Sequence, residues 1–271
     1  MKETKIKMCT SHHWQRTPIS YYGGKQTMLP YILPLIPQHQ IYVEPFFGGG
    51  AVFWAKEPAK NEIINDFNAN VVNFYQVLKS DFEALKTLVE KSVVSRETYK
   101  SALVMYHSPF LFSPVKRAWA FWYATICGFS NQVQNCRFDK TGKNQRALDR
   151  RIQEFTEHYS QRLKLAQIEN NDACVIIKSH DTEHTFFYCD PPYVGANQGH
   201  YGGYTQEYFN ELLSSLSKVK GKFLLSSYQN DELLKNVKEF GWYQKEIALH
   251  LGTSKTAGKN RIEVLTANYE L

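Results

Sequence analysis

The chain has 271 residues, of which 43 % are hydrophobic and 21 % charged, a composition that excludes a disordered protein and allows one large domain or two moderate ones. Lys and Arg outnumber Asp and Glu by 32 to 26, so the net charge of +6 permits a polyanionic partner without requiring one. The longest uncharged apolar stretch, 118–129, is shorter than the roughly 20 residues that a membrane span needs. Five cysteines without a CxxC pair favour the reducing cytoplasm and argue against disulfides and a structural metal.

The predicted elements alternate between strands and helices in two parts of the chain. After a polar segment at 1–17, which we expect to be a tail, short apolar runs predict strands at 41–44 and 62–66. Further strands are predicted at 185–189, 222–227 and 261–270, with helices at 205–220 and 231–240. Gly221 is expected to end the first of these helices. Such alternation predicts an α/β fold with a mostly parallel sheet.

The region 76–154 interrupts this alternation. It contains helical patterns at 82–89 and 114–127 and a basic segment at 137–151. We therefore predict one sheet-based domain built from 18–75 and 155–271, into which a mainly helical lobe at 76–154 is inserted.

The sharpest motif is Asp190-Pro191-Pro192-Tyr193, which directly follows a predicted apolar strand. Neither proline has an N–H, so the backbone here offers acceptors only, and Pro192 restricts Pro191 to extended conformations. The Asp190 carboxylate adds an acceptor and Tyr193 adds a flat face. Two acceptors that each take one N–H of an exocyclic amine leave its nitrogen lone pair free to attack, so the motif suits amine chemistry on a planar ring. Taken alone, the motif also fits an ordinary turn after a strand.

Three weaker signals lie upstream. The EPFFGGG segment at 44–50 follows the first predicted strand, and its glycines let a ligand approach the backbone closely. It is neither GxGxxG nor followed by a Walker lysine, which disfavours a dinucleotide or a triphosphate. Asp66 ends the next predicted strand. An acidic residue at such a strand end either accepts hydrogen bonds from ribose hydroxyls or caps the local backbone. Tyr21 and Lys25 lie in SYYGGK, which by itself predicts only a turn.

Together and in this order, the motifs resemble the Dam-type adenine-specific DNA methyltransferases of the alpha order, in which the cofactor region comes first and DPPY last. The matching text spans about 18–271 and reads SYYGGK, VEPFFGGGAVF, INDFN, NDACVIIKSHD, TFFYCDPPY and FLLSSY. The resemblance implies a Rossmann-like methyltransferase sheet whose inserted helical lobe recognises DNA. It also implies S-adenosylmethionine as the methyl donor and the exocyclic amine of an adenine in double-stranded DNA as the acceptor. The duplex buries that amine, so the base must swing out of the stack.

The resemblance also implies roles for individual residues. Asp190, Pro191 and Tyr193 would hold the target base, and Asp190 would also border the cofactor. The other expected cofactor residues are Tyr21, Lys25, Glu44, Pro45, Phe46, Gly48, Gly50, Asp66, Asp172 and Cys174. Within that set, the first two would face the methionine end of the cofactor, Asp66 the ribose, and the last two the adenine.

Basic residues of the helical lobe are the predicted phosphate contacts, although charge runs in general are more often solvated surface. The expected DNA-binding residues are Arg137, Lys140, Lys143 and Arg146, with Lys255 and Lys259 as a second patch. Arg137 aligns with the base-reading step of the family. Members that read GATC carry an Asn where this chain has Asp139, followed by an FNxP-type run that is missing here. The target sequence is therefore not predicted.

Two other functions stay open on the sequence alone. DPP-aromatic motifs also occur in RNA base methyltransferases, although the motif order and the long insertion before DPPY argue against this class. A catalytically silent nucleic-acid-binding protein on the same scaffold is disfavoured by the intact DPPY, the glycine segment and Asp66. The resemblance admits a cognate restriction endonuclease as a partner, and the chain itself carries no PD-(D/E)xK pattern.

Overall fold

A computed structural model describes residues 14–21, 23–128, 141–194, 203–249 and 261–271. Within these residues the strands are β1 (Ile41–Glu44), β2 (Asn61–Asn65), β3 (Ala166–Glu169), β4 (Thr185–Cys189), β5 (Lys222–Ser227), β6 (Tyr243–Leu249) and β7 (Arg261–Ala267). The helices are α1 (Leu29–Ile32), α2 (Ala51–Ala55), α3 (Ala69–Ser80), α4 (Phe82–Glu90), α5 (Arg96–His107), α6 (Pro114–Cys127), α7 (Lys143–Gln153), α8 (His158–Leu163), α9 (Ala173–Ser179), α10 (Gln206–Leu216) and α11 (Asp231–Phe240). Short 3-10 helices lie at Leu33–Leu35 and Pro109–Leu111.

The seven strands form one sheet in the order β3-β2-β1-β4-β5-β7-β6. The first five are parallel to one another, and β7 runs antiparallel to both β5 and β6. The chain moves outward from β1 on one side and from β4 on the other, so the strand order reverses between these two strands. In open α/β sheets, ligands bind outside the carboxyl ends of the strands at such a reversal. The Rossmann-like α/β fold predicted from the sequence is confirmed.

Each face of the sheet is covered by helices over its own hydrophobic cluster. Successive strand residues point to opposite faces, so Phe187 and Cys189 of β4 pack with α9 and α10, whereas Phe186 and Tyr188 pack in the cluster that contains α3 to α6. Because all five β4 residues are buried, this strand reads as a continuous apolar run. Tyr42 and Leu265 belong to the cluster that contains α3 to α6. Glu44 lies two residues from Tyr42 along β1, and Glu263 lies two residues from Leu265 along β7, so both glutamates are on the same face of the sheet.

The described residues between β2 and β3 form helices and turns, apart from an isolated bridge residue at Gly128. Helix α6 is buried over most of its length, and Phe121 and Trp122 share one cluster with the sheet. The helical region therefore shares one hydrophobic cluster with the sheet, and α3 connects the two because it packs against both α6 and β3. The predicted boundaries of a separate lobe at 76–154 stay a prediction. None of the described helices combines the length and the apolar character that crossing a membrane requires.

Several local expectations need correction. Helix α10 ends at Leu216, so Gly221 does not terminate it. Gly221 instead lies where an added Cβ would come within 2.6 Å of the Thr185 carbonyl oxygen, which explains a glycine at this position. Strands β3 and β6 were not predicted, because β3 is a partly exposed edge strand and the charged residues of β6 break its apolar pattern.

Part of the expected N-terminal tail is fixed by the helical region. Arg151 of α7 donates to the Thr17 carbonyl oxygen at 2.6 Å, and the Tyr159 hydroxyl of α8 donates to the Arg16 carbonyl oxygen at 2.8 Å. An ion pair between Arg16 and Glu154 adds a third link. Residues 14–17 therefore belong to the folded structure, while residues 1–13 lie outside the described residues.

Candidate active site

A cavity opens at the reversal point between β1 and β4. Glu44 ends β1 and Asp190 directly follows β4, so both carboxyl groups stand at the carboxyl edge of the sheet. The predicted residues that line this cavity are Tyr21, Lys25, Glu44, Phe46, Gly48, Gly50 and Asp190. Phe47, Gly49 and Tyr188 also line it. Motifs that are up to 169 positions apart in the chain thus meet in one place, as the sequence predicts.

The glycine segment is held from behind by buried side chains. The Gly48 N–H donates to Asp66 Oδ2 at 2.7 Å, and the Tyr75 hydroxyl donates to the Gly48 carbonyl oxygen at 3.0 Å. The Trp54 indole N–H donates to the Gly49 carbonyl oxygen at 3.2 Å. The backbone of this segment is therefore fixed before any ligand binds.

Gly50 is required by both its conformation and its surroundings. It precedes α2 with φ +66° and ψ 34°, in the left-handed region that favours glycine. A Cβ at this position would lie 2.4 Å from the Phe47 ring. The ring of Phe47 is itself packed edge-on against Tyr75, with ring centres 4.7 Å apart, so it has little room to move.

Asp190 forms a largely buried ion pair with Lys25. The two side chains are 19 % and 8 % exposed, and Lys25 Nζ lies 2.9 Å from Asp190 Oδ1. Lys25 also donates to the Gly23 carbonyl oxygen and lies over the Tyr193 ring, 4.8 Å from its centre. One nitrogen thus contacts both the predicted amine acceptor and the predicted stacking ring.

The pair determines the charge at this site. Burial raises the pKa of Asp190 to about 6, although Lys25 opposes the rise. Burial alone would lower the pKa of Lys25, but the carboxylates of Asp190 and Glu263 outweigh it, and the pKa of Lys25 is raised. At neutral pH the site therefore holds an ionised Asp190 beside a charged ammonium group.

Glu44 lines the cavity and is buried. It accepts a hydrogen bond from the Tyr42 hydroxyl at 2.6 Å. Burial raises the pKa of Glu44 to about 8, and Asp190 contributes to the rise through charge repulsion. Glu44 is therefore mostly protonated at neutral pH, and a cation placed beside it would favour its ionised form.

Tyr193 is anchored by residues that the sequence did not predict. Its hydroxyl lies 2.9 Å from Ser226 Oγ and donates to Glu263 Oε2 at 3.3 Å. Its ring packs against Tyr228 with centres 4.3 Å apart. Ser226 lies in FLLSSY, a segment that the resemblance includes, whereas no local signal identified Glu263 on β7.

A second cavity borders the same turn. It is lined by Pro191, Pro192, Tyr193 and Val194 together with residues of α10 and the end of β5, among them Phe209, Ser227 and Tyr228. The Ser227 side chain is buried, and its hydroxyl has no hydrogen-bond partner among the described residues. The DPPY turn thus separates two cavities, one on the glycine segment and one beside β5.

Asp66 does not line the cavity of the glycine segment. Both of its carboxylate oxygens accept backbone N–H groups, Oδ2 from Gly48 and Oδ1 from Asn68 at 2.8 Å. Burial raises its pKa to about 6, and the two N–H donors oppose the rise. Phe67, the next residue, is 83 % exposed and offers an apolar ring beside it. The ribose role of Asp66 stays a prediction, since its observed contacts support the glycine segment.

Three further predicted cofactor residues also lie outside that cavity lining. The Pro45 carbonyl oxygen accepts from the side chain of Asn65 at 2.9 Å. Asp172 caps α9, because its Oδ1 accepts from the Cys174 N–H at 2.8 Å. Burial raises the pKa of the half-buried Cys174 thiol. Asn171, next to Asp172, exchanges hydrogen bonds with Asn65, so the α9 turn is joined to the end of β2.

The predicted DNA contacts are described only in part. Lys143 and Arg146 are exposed on α7. Arg137, Lys140, Lys255 and Lys259 lie outside the described residues. Arg151, which belongs to the same basic run, is buried and bound to the Thr17 carbonyl oxygen and to Glu154, so it serves the fold.

The family model for D12 class N6 adenine-specific DNA methyltransferases matches residues 21–249. The chain belongs to this family. It is an adenine-specific DNA methyltransferase, as the sequence motifs predict.

Named relatives agree with this assignment. The Type II methyltransferase M1.LlaDCHI of Lactococcus lactis subsp. cremoris is 26 % identical over 91 % of this chain and 93 % of its own length. The Type II methyltransferase M.MjaIII of Methanocaldococcus jannaschii is 25 % identical over 93 % of this chain and 98 % of its own. The DNA adenine methylase of Vibrio cholerae is 26 % identical over 66 % of each chain.

Proposed function

We propose that this methyltransferase transfers a methyl group from S-adenosylmethionine to the exocyclic amine of an adenine that is flipped out of double-stranded DNA. The observation that carries the proposal is that Asp190, the first residue of the DPPY motif, and the glycine segment border one cavity at the reversal point of the sheet. An amine acceptor and a cofactor cradle that share a cavity wall are what direct transfer between two bound molecules needs.

Asp190 and Tyr193 are proposed to hold the target amine. Two contacts of Lys25 support this: its Nζ lies 2.9 Å from Asp190 Oδ1, and the same nitrogen lies over the Tyr193 ring. An adenine amine bound to Asp190 and to the Pro191 carbonyl oxygen would have its lone pair directed away from both acceptors. The second cavity is proposed to receive the adenine ring, since it contains the Ser227 hydroxyl, which has no hydrogen-bond partner within the described part of the chain.

The donor set of the first cavity fits S-adenosylmethionine. The fixed glycine segment admits a ligand close to the backbone, and the buried Glu44 favours a cationic group beside it. Tyr21 and Phe46 supply aromatic walls. When bound there, S-adenosylmethionine supplies its methyl group from a sulfonium centre. Asp66 is proposed to act through the Gly48 N–H, by which it keeps the glycine segment in place.

Lys143 and Arg146 on α7 are proposed to contact phosphates of double-stranded DNA, together with Lys140, Lys255 and Lys259. Their charges fit the polyanionic substrate. Leu148 of α7 belongs to the hydrophobic cluster on the sheet face that Glu44 and Glu263 continue. Arg137 is proposed to read a base edge, since an arginine binds guanine through two hydrogen bonds in the major groove.

We further propose a cytoplasmic location and a role in restriction–modification with a cognate endonuclease. The odd number of cysteines without a CxxC pair supports the first proposal. The names of two relatives, both Type II methyltransferases, support the second.

The test is expression in a host that lacks adenine methylation, followed by long-read sequencing of its genome. We expect modified adenines at one recurring sequence with the unchanged chain and none with Asp190→Asn, which preserves the shape of the side chain but removes its charge. A genome without modified adenine, from a soluble and folded protein, would contradict the proposal. Methylation confined to cellular RNA would favour an RNA base methyltransferase instead.

A further inference from the structure

Glu263 reaches the active site because of the direction of its strand. The strands β1, β4 and β5 bring their last residues to the carboxyl edge of the sheet, but β7 is antiparallel to β5 and brings its first residues there. Ser227 at the end of β5 pairs with Val264, so Glu263 stands next to that edge. It also lies on the sheet face of Leu265, which carries the Tyr188 cluster.

The hydrogen bonds at Tyr193 need both of its neighbours. The Tyr193 hydroxyl donates its proton to Glu263 Oε2 at 3.3 Å. The Ser226 hydroxyl, 2.9 Å away, then donates to the Tyr193 oxygen. Without Glu263, the Tyr193 hydroxyl would lose its acceptor on β7, and the end of its ring would be held less firmly.

The ring that Glu263 fixes is the one under Lys25. Lys25 Nζ lies 4.8 Å from the centre of the Tyr193 ring and 2.9 Å from Asp190 Oδ1. The carboxylate of Glu263 also contributes to the raised pKa of Lys25. Glu263 therefore acts on the stacking ring directly, through its hydrogen bond with the Tyr193 hydroxyl.

We propose that Glu263 is a positioning residue for methyl transfer, which holds the Tyr193 ring in the orientation that aligns the adenine amine with the methyl donor. The inference rests on the proposed role of Asp190 and Tyr193 in binding the target amine. Because Glu263 acts through Tyr193, its loss should lower the rate of transfer and leave the affinity for DNA and for the cofactor unchanged.

The experiment is a double-mutant cycle on the full chain, with plasmid DNA from a methylation-free host and tritiated S-adenosylmethionine. We expect Glu263→Ala to lower kcat by about 10- to 100-fold, the effect of a small misplacement of reacting groups, with KM unchanged. Tyr193→Phe removes the hydroxyl but keeps the ring. On this background, Glu263→Ala should cause no further loss, because both changes break the same hydrogen bond.

Two more variants control the result. Glu263→Gln keeps an acceptor oxygen and should restore most of the rate, and it replaces Glu263→Ala if the latter does not fold. Glu246→Gln removes the same charge from an exposed site on β6, opposite Val264, and should behave like the unchanged chain.

Unchanged kcat in Glu263→Ala, or losses that multiply in the double variant, would overturn the inference. So would a Glu263→Gln protein as slow as Glu263→Ala. These outcomes differ from a failure of the proposed function, in which the unchanged chain itself would transfer no methyl group to DNA.

Discussion

Asp190 is the stronger acceptor for an amine N–H when its carboxyl group is ionised. Its pKa is raised to about 6 by burial and is held down by Lys25. We therefore expect kcat/KM for methylation, which reports the free enzyme, to fall as the pH drops below about 6. Lys25→Met removes the charge that favours the ionised form of Asp190. The fall of kcat/KM at low pH should therefore move to higher pH in this variant. A profile that is flat down to pH 5 in the unchanged chain would contradict the assigned role of Asp190.

Glu44 makes a second pH-dependent contribution, this time to stability. Its pKa rises from 4.5 to about 8 on folding because of burial, so the folded state binds the proton more tightly than the unfolded state. Its contribution to stability is complete below pH 4.5 and is lost as the pH rises through 8. Glu44→Gln has no such titration and should gain stability relative to the unchanged chain between pH 5 and pH 9. Denaturant unfolding at several pH values measures this, and parallel curves would disprove it.

At the scale of elements, the glycine segment and the end of α11 offer a matched comparison. Gly50 and Gly241 both have φ 66° and ψ 34°. A Cβ at Gly50 meets the Phe47 ring at 2.4 Å, whereas one at Gly241 has no atom within 4 Å. Alanine brings the same backbone strain to both positions, so any difference reports the clash.

We expect Gly50→Ala to lower the free energy of unfolding by about 1–3 kcal/mol more than Gly241→Ala does, the usual cost of overpacking. Gly50→Ala should also weaken binding of S-adenosylmethionine in calorimetry, while Gly241→Ala should not. Equal stabilities and equal affinities of the two variants would show that the Phe47 ring moves aside freely.

The elements also show what the sequence could predict. Strand β4 was predicted with its observed boundaries because it is apolar throughout, and α11 because its apolar stripe ends at a glycine. Strand β6 has no such local signal, because it is an edge strand with charged residues. In a single sequence such a pattern cannot be distinguished from that of a loop. For the same reason Glu263 was missed: its place in the site depends on the direction of β7, which only the assembled sheet determines.

At the scale of the whole molecule, DNA affinity should depend on salt, because each phosphate contact releases counterions. Neutralising Lys140, Lys143 and Arg146 together should flatten the log–log slope by up to about 3 units, at about 0.9 per contact. Binding should weaken alike for matched and mismatched sites, since phosphate contacts carry no sequence information. Lys238→Gln on α11, which packs on the opposite sheet face, is the control. If the triple variant has the same log–log slope as the unchanged chain, α7 does not contact the DNA phosphates.

The attachment of residues 16 and 17 to α7 and α8 has a thermodynamic consequence. Arg151 joins the helix that is expected to meet DNA to the segment that leads into Tyr21 and Lys25. If DNA binding alters the contact between Arg151 and Thr17, it will also change the dissociation constant of the cofactor. The cofactor must then change the dissociation constant of DNA by the same factor. We expect Arg151→Met to bring that factor closer to one, as measured by calorimetry of S-adenosylmethionine with and without duplex DNA. If the dissociation constant of S-adenosylmethionine is the same with and without DNA in the unchanged chain, the two ligands bind independently. If DNA lowers the dissociation constant of S-adenosylmethionine, each ligand helps the enzyme to retain the other until the methyl group has been transferred.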